Sequence, residues 1–102
     1  MTNLVEVLFF EGCPNHLPAV ELAKEVVADV APGARVEEIE VRDNEHAARV
    51  RFLGSPTIQV DSEDIEPDAR SRTDYAMSCR MYGTSGLPPR EMIVAALTEP
   101  TR

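Results

Sequence analysis

The sequence lacks the features that would mark a nucleic-acid-binding protein, a membrane protein or a zinc protein. Ten Lys or Arg residues stand against eighteen Asp or Glu, and the net charge of −8 disfavours nonspecific binding to nucleic acid or to anionic membranes. No apolar run approaches the roughly 20 residues that span a bilayer. The two cysteines and two histidines do not make up a four-coordinate Cys/His zinc site. We therefore expect no nucleic acid, membrane, metal or cofactor.

The length of 102 residues suits one domain with a single modest core, which we assign to residues 1–102. The chain does not begin with the basic start, apolar stretch and small-residue cleavage site of a secretory signal peptide. These features predict a cytoplasmic protein. In such a reducing compartment a structural disulfide between Cys13 and Cys79 is disfavoured.

The apolar pattern predicts seven elements in the order β-α-β-α-β-β-α. The predicted strands are 4–10, 35–41, 56–60 and 75–82, and the predicted helices are 15–30, 44–52 and 90–97. Asp43 is the expected N-cap of the second helix. The fourth strand has its apolar face at the odd positions, which places Cys79 in the core between Met77 and Met81. The acidic run at 61–68 is interpreted as a solvated turn, because it lacks the Gly and terminal Glu of a calcium loop.

Cys13 lies where the first strand turns into the first helix. The free N–H groups and partial positive charge of a helix N-terminus stabilise a thiolate there. His16 follows one helical turn later, so its imidazolium could favour the thiolate and its neutral ring could accept the proton. Pro14 suits a first helical turn, whereas the Glu11 carboxylate opposes the thiolate. The alternatives are a structural Cys13 and an ordinary solvent-facing His16.

The element order, with Cys13-Pro14-Asn15-His16 at the first junction and Ser55-Pro56-Thr57 before a later strand, resembles the thioredoxin-like superfamily. The resemblance covers essentially the whole chain. It implies an α/β fold of the type βαβαββα, with a four-stranded mixed sheet in the order 2-1-3-4 and helices on both faces. His16 stands where the second cysteine of the dithiol motif would be, so the expected site is a monothiol.

The resemblance also implies a substrate-binding surface around the thiol. Pro56 is expected to be a cis-proline opposite the reactive cysteine, and the backbone of Ser55 is expected to pair with an extended substrate peptide. Gly12 and Pro14, which flank Cys13, complete this surface. The alternative for Pro56 is a proline that merely opens a strand.

Three functions are compatible with these features. The first is a thiol-disulfide oxidoreductase or thiol carrier, in which Cys13 is the nucleophile and forms a mixed disulfide. Glutathione, a partner protein's thiol or Cys79 would then resolve that disulfide. Resolution by Cys79 would need the Cys13 loop to move, because two strand spacings of about 10 Å exceed the reach of a disulfide, about 7 Å.

The second function is binding of a soft metal such as mercury by thiolates. Residues 10–15 are similar to the start of small bacterial thioredoxin-like proteins, some with selenocysteine at the position of Cys13 and some found beside organomercury lyases. The third is a non-catalytic binding module that keeps the fold. The sequence leaves the choice among the three, and the oligomeric state, open.

Overall fold

A computed structural model of the protein describes residues 3–99. Its strands are Leu4–Phe9 (β1), Arg35–Glu40 (β2), Thr57–Val60 (β3) and Glu63–Asp64 (β4). Its α-helices are His16–Val30 (α1), Asn44–Val50 (α2) and Arg90–Thr98 (α3), and Pro67–Ala69 form a short 3-10 helix. Among the described residues, no helix is both long enough and apolar enough to cross a lipid bilayer.

The four strands form one mixed sheet in the order β2-β1-β3-β4. β1 pairs in parallel with β2, from Leu4 opposite Arg35 to Phe9 opposite Glu40. β3 runs antiparallel to β1, and β4 runs antiparallel to β3. The fold class and the strand order predicted from the sequence are confirmed.

Helices cover both faces of this sheet. Val7 faces α1 and α3, and the next residue, Leu8, faces α2, because successive side chains of a strand point to opposite faces. The larger core joins β1 and β3 to the buried stripe of α1, which recurs at helical spacing: Ala19, Val20, Ala23, Val26 and Val27. The smaller core consists of Leu8, Val41, Ala47 and Phe52.

α2 begins at the predicted cap and ends earlier than predicted. The Asp43 carboxylate accepts a hydrogen bond of 2.8 Å from the backbone N–H of His46, which confirms the N-cap. The helix ends at Val50, because Arg51 adopts the left-handed conformation with φ of 60°. The chain therefore leaves α2 two residues before the predicted end at residue 52.

The predicted strand at 75–82 and its burial pattern are wrong. The fourth strand of the sheet is β4, and the 75–82 segment forms only isolated bridges. Tyr75 and Met77 pack partly buried against the smaller core, as predicted, but the phase reverses from residue 79. Arg80 and Tyr82 are buried, while Cys79 and Met81 are exposed. Cys79 is therefore not a core residue. The physical reason is the Arg80 guanidinium, whose charge is neutralised inside the protein by carboxylates.

Candidate active site around Cys13

Cys13 is a free, half-buried cysteine in the turn that joins β1 to α1. Its N–H donates to the carbonyl of Phe10 at 3.3 Å, and its own carbonyl accepts from the N–H of His16 at 3.3 Å. Gly12 reverses the chain with φ of 90°, a conformation that favours glycine. Because Asn15 is the N-cap of α1, the thiol lies two residues before the positive end of that helix.

The Ser55–Pro56 peptide bond is cis, as the resemblance implied. Both residues are almost completely buried. The N–H of Phe10 lies 3.4 Å from Ser55 Oγ, to which it donates, and the carbonyl of the same Phe10 accepts from Cys13. Phe10 therefore joins the Cys13 turn to the loop that carries the cis-proline.

A segment from another part of the chain lies along the opposite side of Ser55. The N–H of Ser55 donates to the carbonyl of Ser78 at 2.7 Å, and its carbonyl accepts from the N–H of Arg80 at 3.0 Å. Cys79 lies between these two bonds, in a parallel bridge with Ser55. We call residues 78–82 the docked segment. The backbone groups of Ser55 that were expected to receive a substrate peptide are engaged within the protein itself.

Gly54 allows this close approach. Its φ is 118°, and a Cβ at this position would lie 3.0 Å from the carbonyl oxygen of Ser78 and 3.1 Å from the Cβ of Arg80. Contacts this short would require the docked segment to shift by a few tenths of an ångström. Glycine is therefore needed here both for its conformation and for the space it leaves.

Arg80 fixes the docked segment to the sheet through buried ion pairs. Its guanidinium bonds both carboxylate oxygens of Asp64, at 2.6 and 2.9 Å, and Glu66 at 2.9 Å. Burial alone would lower the pKa of Arg80, but the bonds to these carboxylates outweigh burial and raise it. Within the described residues its Nε has no partner. Two acids that were interpreted as part of a solvated turn are thus the counterions of a buried arginine.

Tyr82 holds the other side of the cis-proline. Its hydroxyl donates to the carbonyl of Pro56 at 2.7 Å, and its ring lies 4.5 Å from Arg80 Cζ, within range of a cation–π contact. Burial raises the pKa of Tyr82, so the phenol keeps its proton at neutral pH. The docked segment consequently contacts both residues of the cis peptide bond.

His16 is held by two neighbours on the α1 side of the sheet. Its Nε2 lies 2.6 Å from an oxygen of Glu38, and its ring stacks on Phe9 with centroids 3.5 Å apart. The hydrogen bond between His16 and Cys13 is the main-chain bond described above. Glu38 was not identified from the sequence. It lies opposite Val7 on the face of β2 that α1 covers, and a charged residue at such a position was the signal that could have indicated it.

An open, shallow groove of about 570 Å³ starts beside the Cys13 turn. Its walls are formed by Phe10, Glu11, Glu40, Val41, Arg42 and Met77. The groove is largely open to solvent, so it can border a ligand but does not enclose one. Nowhere in residues 3–99 do three His, Cys, Asp or Glu side chains converge in a way that could hold a metal ion.

Comparison with known proteins yields no relative: no family model, no curated protein and no solved structure matches this chain. The thioredoxin-like resemblance therefore remains a prediction. The function has to be inferred from Cys13 and the residues around it, because a fold alone does not fix an activity.

Proposed function

We propose that the protein is a monothiol thiol-disulfide oxidoreductase or thiol carrier with Cys13 as the nucleophile. One observation supports this most directly: a half-buried free thiol in a strand-to-helix turn is joined through Phe10 to a cis Ser55–Pro56 loop. The Cys13 thiolate attacks one sulfur of a disulfide and forms a mixed disulfide, which glutathione or a protein thiol then resolves. A reducing compartment such as the cytoplasm would keep the thiol free.

The neighbours of Cys13 have distinct proposed roles. The start of α1 favours the thiolate. Because the Glu38 carboxylate accepts a hydrogen bond from His16 Nε2, the neutral ring carries its lone pair on Nδ1, and we assign this nitrogen the role of base. Gly12 and Pro14 are exposed on either side of the half-buried thiol and form the surface that a substrate meets.

The test is the alkylation rate of Cys13 as a function of pH, followed by mass spectrometry. Cys79 is an internal comparison, because it is an exposed free thiol in the same molecule. We expect Cys13 to react faster than Cys79 near neutral pH, because the start of α1 favours its thiolate. A Cys13 that reacts no faster than Cys79 would favour the non-catalytic binding module instead.

Binding of a soft metal by two thiolates is a second candidate, favoured by the position of Cys79. This exposed thiol lies in the docked segment, bridged to the Ser55 that also bonds the Cys13 turn. Two-coordinate Hg(II) would require both sulfurs to converge. Chelation by the pair predicts that Cys79→Ala weakens Hg(II) binding, and an unchanged affinity would exclude it.

A further inference from the structure

The main-chain groups beside Cys13 are largely used within the protein. Hydrogen bonds engage both backbone groups of Phe10, Cys13 and Ser55, and the carbonyl of Pro56. Pro14 and Pro56 have no N–H to offer. A peptide that adds to the edge of a sheet gains affinity through main-chain hydrogen bonds, and these residues leave it few such partners.

The docked segment is also difficult to displace from Ser55. Arg80 would have to leave the buried Asp64 carboxylate without its counterion, and Tyr82 would have to leave the carbonyl of Pro56 unpaired. Unpaired buried charges and carbonyls are costly. A peptide competing for Ser55 would therefore have to overcome these interactions as well as replace two backbone hydrogen bonds.

We propose that the docked segment occupies the backbone hydrogen-bonding groups of Ser55 beside Cys13. The thiol then exchanges with small disulfides, and extended peptide disulfides are excluded. This inference rests on the proposed exchange activity and names its substrate class. The half-buried thiol lies between the exposed Gly12 and Pro14, which leaves a small disulfide room to approach without pairing to the backbone. Displacement of the docked segment would admit peptides.

The exchange is balanced in atoms and electrons. The Cys13 thiolate attacks one sulfur of R–S–S–R, the S–S bond breaks, and R–S⁻ leaves with the electron pair and takes a proton from water. A second small thiolate then attacks the mixed disulfide at the R sulfur, which forms R–S–S–R′ and releases the Cys13 thiolate. The small thiol is oxidised, and the original disulfide is reduced.

The first measurement compares the exchange rates of two disulfide substrates with the full-length Cys79→Ser variant, in which Cys13 is the remaining cysteine. The rate with hydroxyethyl disulfide and the rate with an extended, uncharged peptide disulfide are each divided by the rate of free cysteine with the same compound. We expect the normalised peptide rate to be at least about tenfold lower. Equal normalised rates would overturn the inference while leaving exchange intact. Failure of both substrates to react would instead overturn the exchange activity itself.

Two pairs of variants test whether the docked segment causes the lower rate with the peptide disulfide. Tyr82→Phe removes the bond to Pro56 and should raise the normalised peptide rate about fivefold, the effect of one net hydrogen bond, without changing the hydroxyethyl disulfide rate. Its control is Tyr75→Phe, which removes a hydroxyl outside the docked segment.

Gly54→Ala should likewise raise the normalised peptide rate and leave the hydroxyethyl disulfide rate unchanged. Its control, Gly83→Ala, shares the positive φ but places no atom within 4 Å of the new Cβ. Peptide rates unchanged in both test variants would contradict the proposal.

Amide hydrogen exchange provides a readout that does not depend on the thiol. The N–H groups of Ser55 and Arg80 close the docked segment onto the loop, so both should be protected in the intact protein and lose protection together in Tyr82→Phe. If both amides exchanged hydrogen as fast as those of exposed loops, the backbone of Ser55 would be open to a substrate peptide. That result would overturn the inference even if Cys13 were a fast nucleophile.

Discussion

At the scale of single residues, the Arg80 guanidinium determines how the docked segment packs. An arginine is rarely buried unless it is paired, and here the side chain is 2% exposed. Asp64 accepts two of its hydrogen bonds and Glu66 accepts a third. The ion pairs therefore compensate for the desolvation of a charge that would otherwise hold this segment in solvent.

Replacing Arg80 with Met should destabilise the protein by about 3–5 kcal/mol, because the Asp64 carboxylate would remain buried without its counterion. Chemical unfolding in urea measures the change. Arg80→Met combined with Asp64→Asn should recover part of the loss, since Asn keeps the oxygen that accepts from the Glu66 N–H.

The matched control for Arg80 is Arg72→Met, which breaks an ion pair of the exposed Arg72 with Asp74. Solvent screens an exposed ion pair, so it adds little stability and the control should remain close to the parent protein. If the two arginine variants lost the same stability, the buried network would not be what holds the docked segment.

Glu38 should determine which nitrogen of His16 carries the proton. With the carboxylate accepting from Nε2, the neutral imidazole should be the Nε2–H tautomer. Nitrogen NMR shifts of His16 report the tautomer directly. Glu38→Ala should shift this equilibrium, whereas Glu37→Ala, which removes the neighbouring carboxylate that pairs with Arg35, should leave it unchanged. An identical tautomer population in Glu38→Ala and the parent would contradict this role.

At the scale of elements, the sequence predicted best the segments whose burial is set by their own apolar pattern. β1, β2 and α1 lie within one residue of the predicted bounds because Val, Ile and Leu recur there with the period of a strand or a helix. The 75–82 segment also alternates, but alternation gives a period and not which side is buried. That side depends on Arg80 meeting Asp64, a contact between distant parts of the chain.

The same limit applies to the candidate site. The position of Cys13 before α1 and the cis bond before Pro56 follow from local sequence and from the resemblance. The contacts of Ser55 with residues 78 and 80, and of His16 with Glu38, join elements far apart in the chain. No local pattern encodes such pairings, because they depend on how the elements pack.

The sheet face covered in part by α2 carries a half-buried carboxylate. Glu6 lies between Glu37 of β2 and Gln59 of β3, and Arg49 and Arg51 line the same cleft. Burial first, and the charge of Glu37 second, raise the pKa of Glu6 above its ordinary value. The folded protein therefore holds this proton more tightly than the unfolded chain does.

Stability should consequently fall as the pH rises from the ordinary carboxyl pKa of about 4.5 through the higher pKa of folded Glu6. Glu6→Gln removes the ionised group and should stabilise the protein at pH 7 by less than about 1 kcal/mol. The gain should disappear near pH 3, where the carboxyl is protonated in both states.

Glu21→Gln, which changes the net charge equally at an exposed position of α1, is the matched control for Glu6→Gln. Urea midpoints at both pH values provide the comparison. An equal gain in the two variants would mean that only net charge matters, and a gain for Glu6→Gln that persisted at pH 3 would exclude ionisation as its cause.

At the scale of the whole molecule, charge is distributed unfavourably for an anionic substrate. The net charge is −8, and the groove beside the Cys13 turn adds Glu11 and Glu40 against Arg42 alone. Oxidised glutathione carries negative charge at neutral pH, whereas cystamine carries positive charge. The summed field should therefore hold one small disulfide away from Cys13 and attract the other.

The rate with cystamine, divided by the rate with oxidised glutathione, should exceed the same ratio for free cysteine on the order of tenfold at low ionic strength. The excess should shrink as salt is added, because the Debye length falls from about 30 Å at 0.01 M to about 3 Å at 1 M.

Glu11→Gln should reduce the excess, because this carboxylate lies two residues from the thiol. Glu25 lies nine residues, about 13 Å, along α1 from the first residue of that helix. Glu25→Gln makes the same change in net charge and should reduce the excess less.

A ratio equal to that of free cysteine at every salt concentration would mean that the field does not reach Cys13. Equal effects of the two variants would assign the discrimination to the net charge of the molecule, and a larger effect of Glu11→Gln would assign it to the carboxylate beside the thiol.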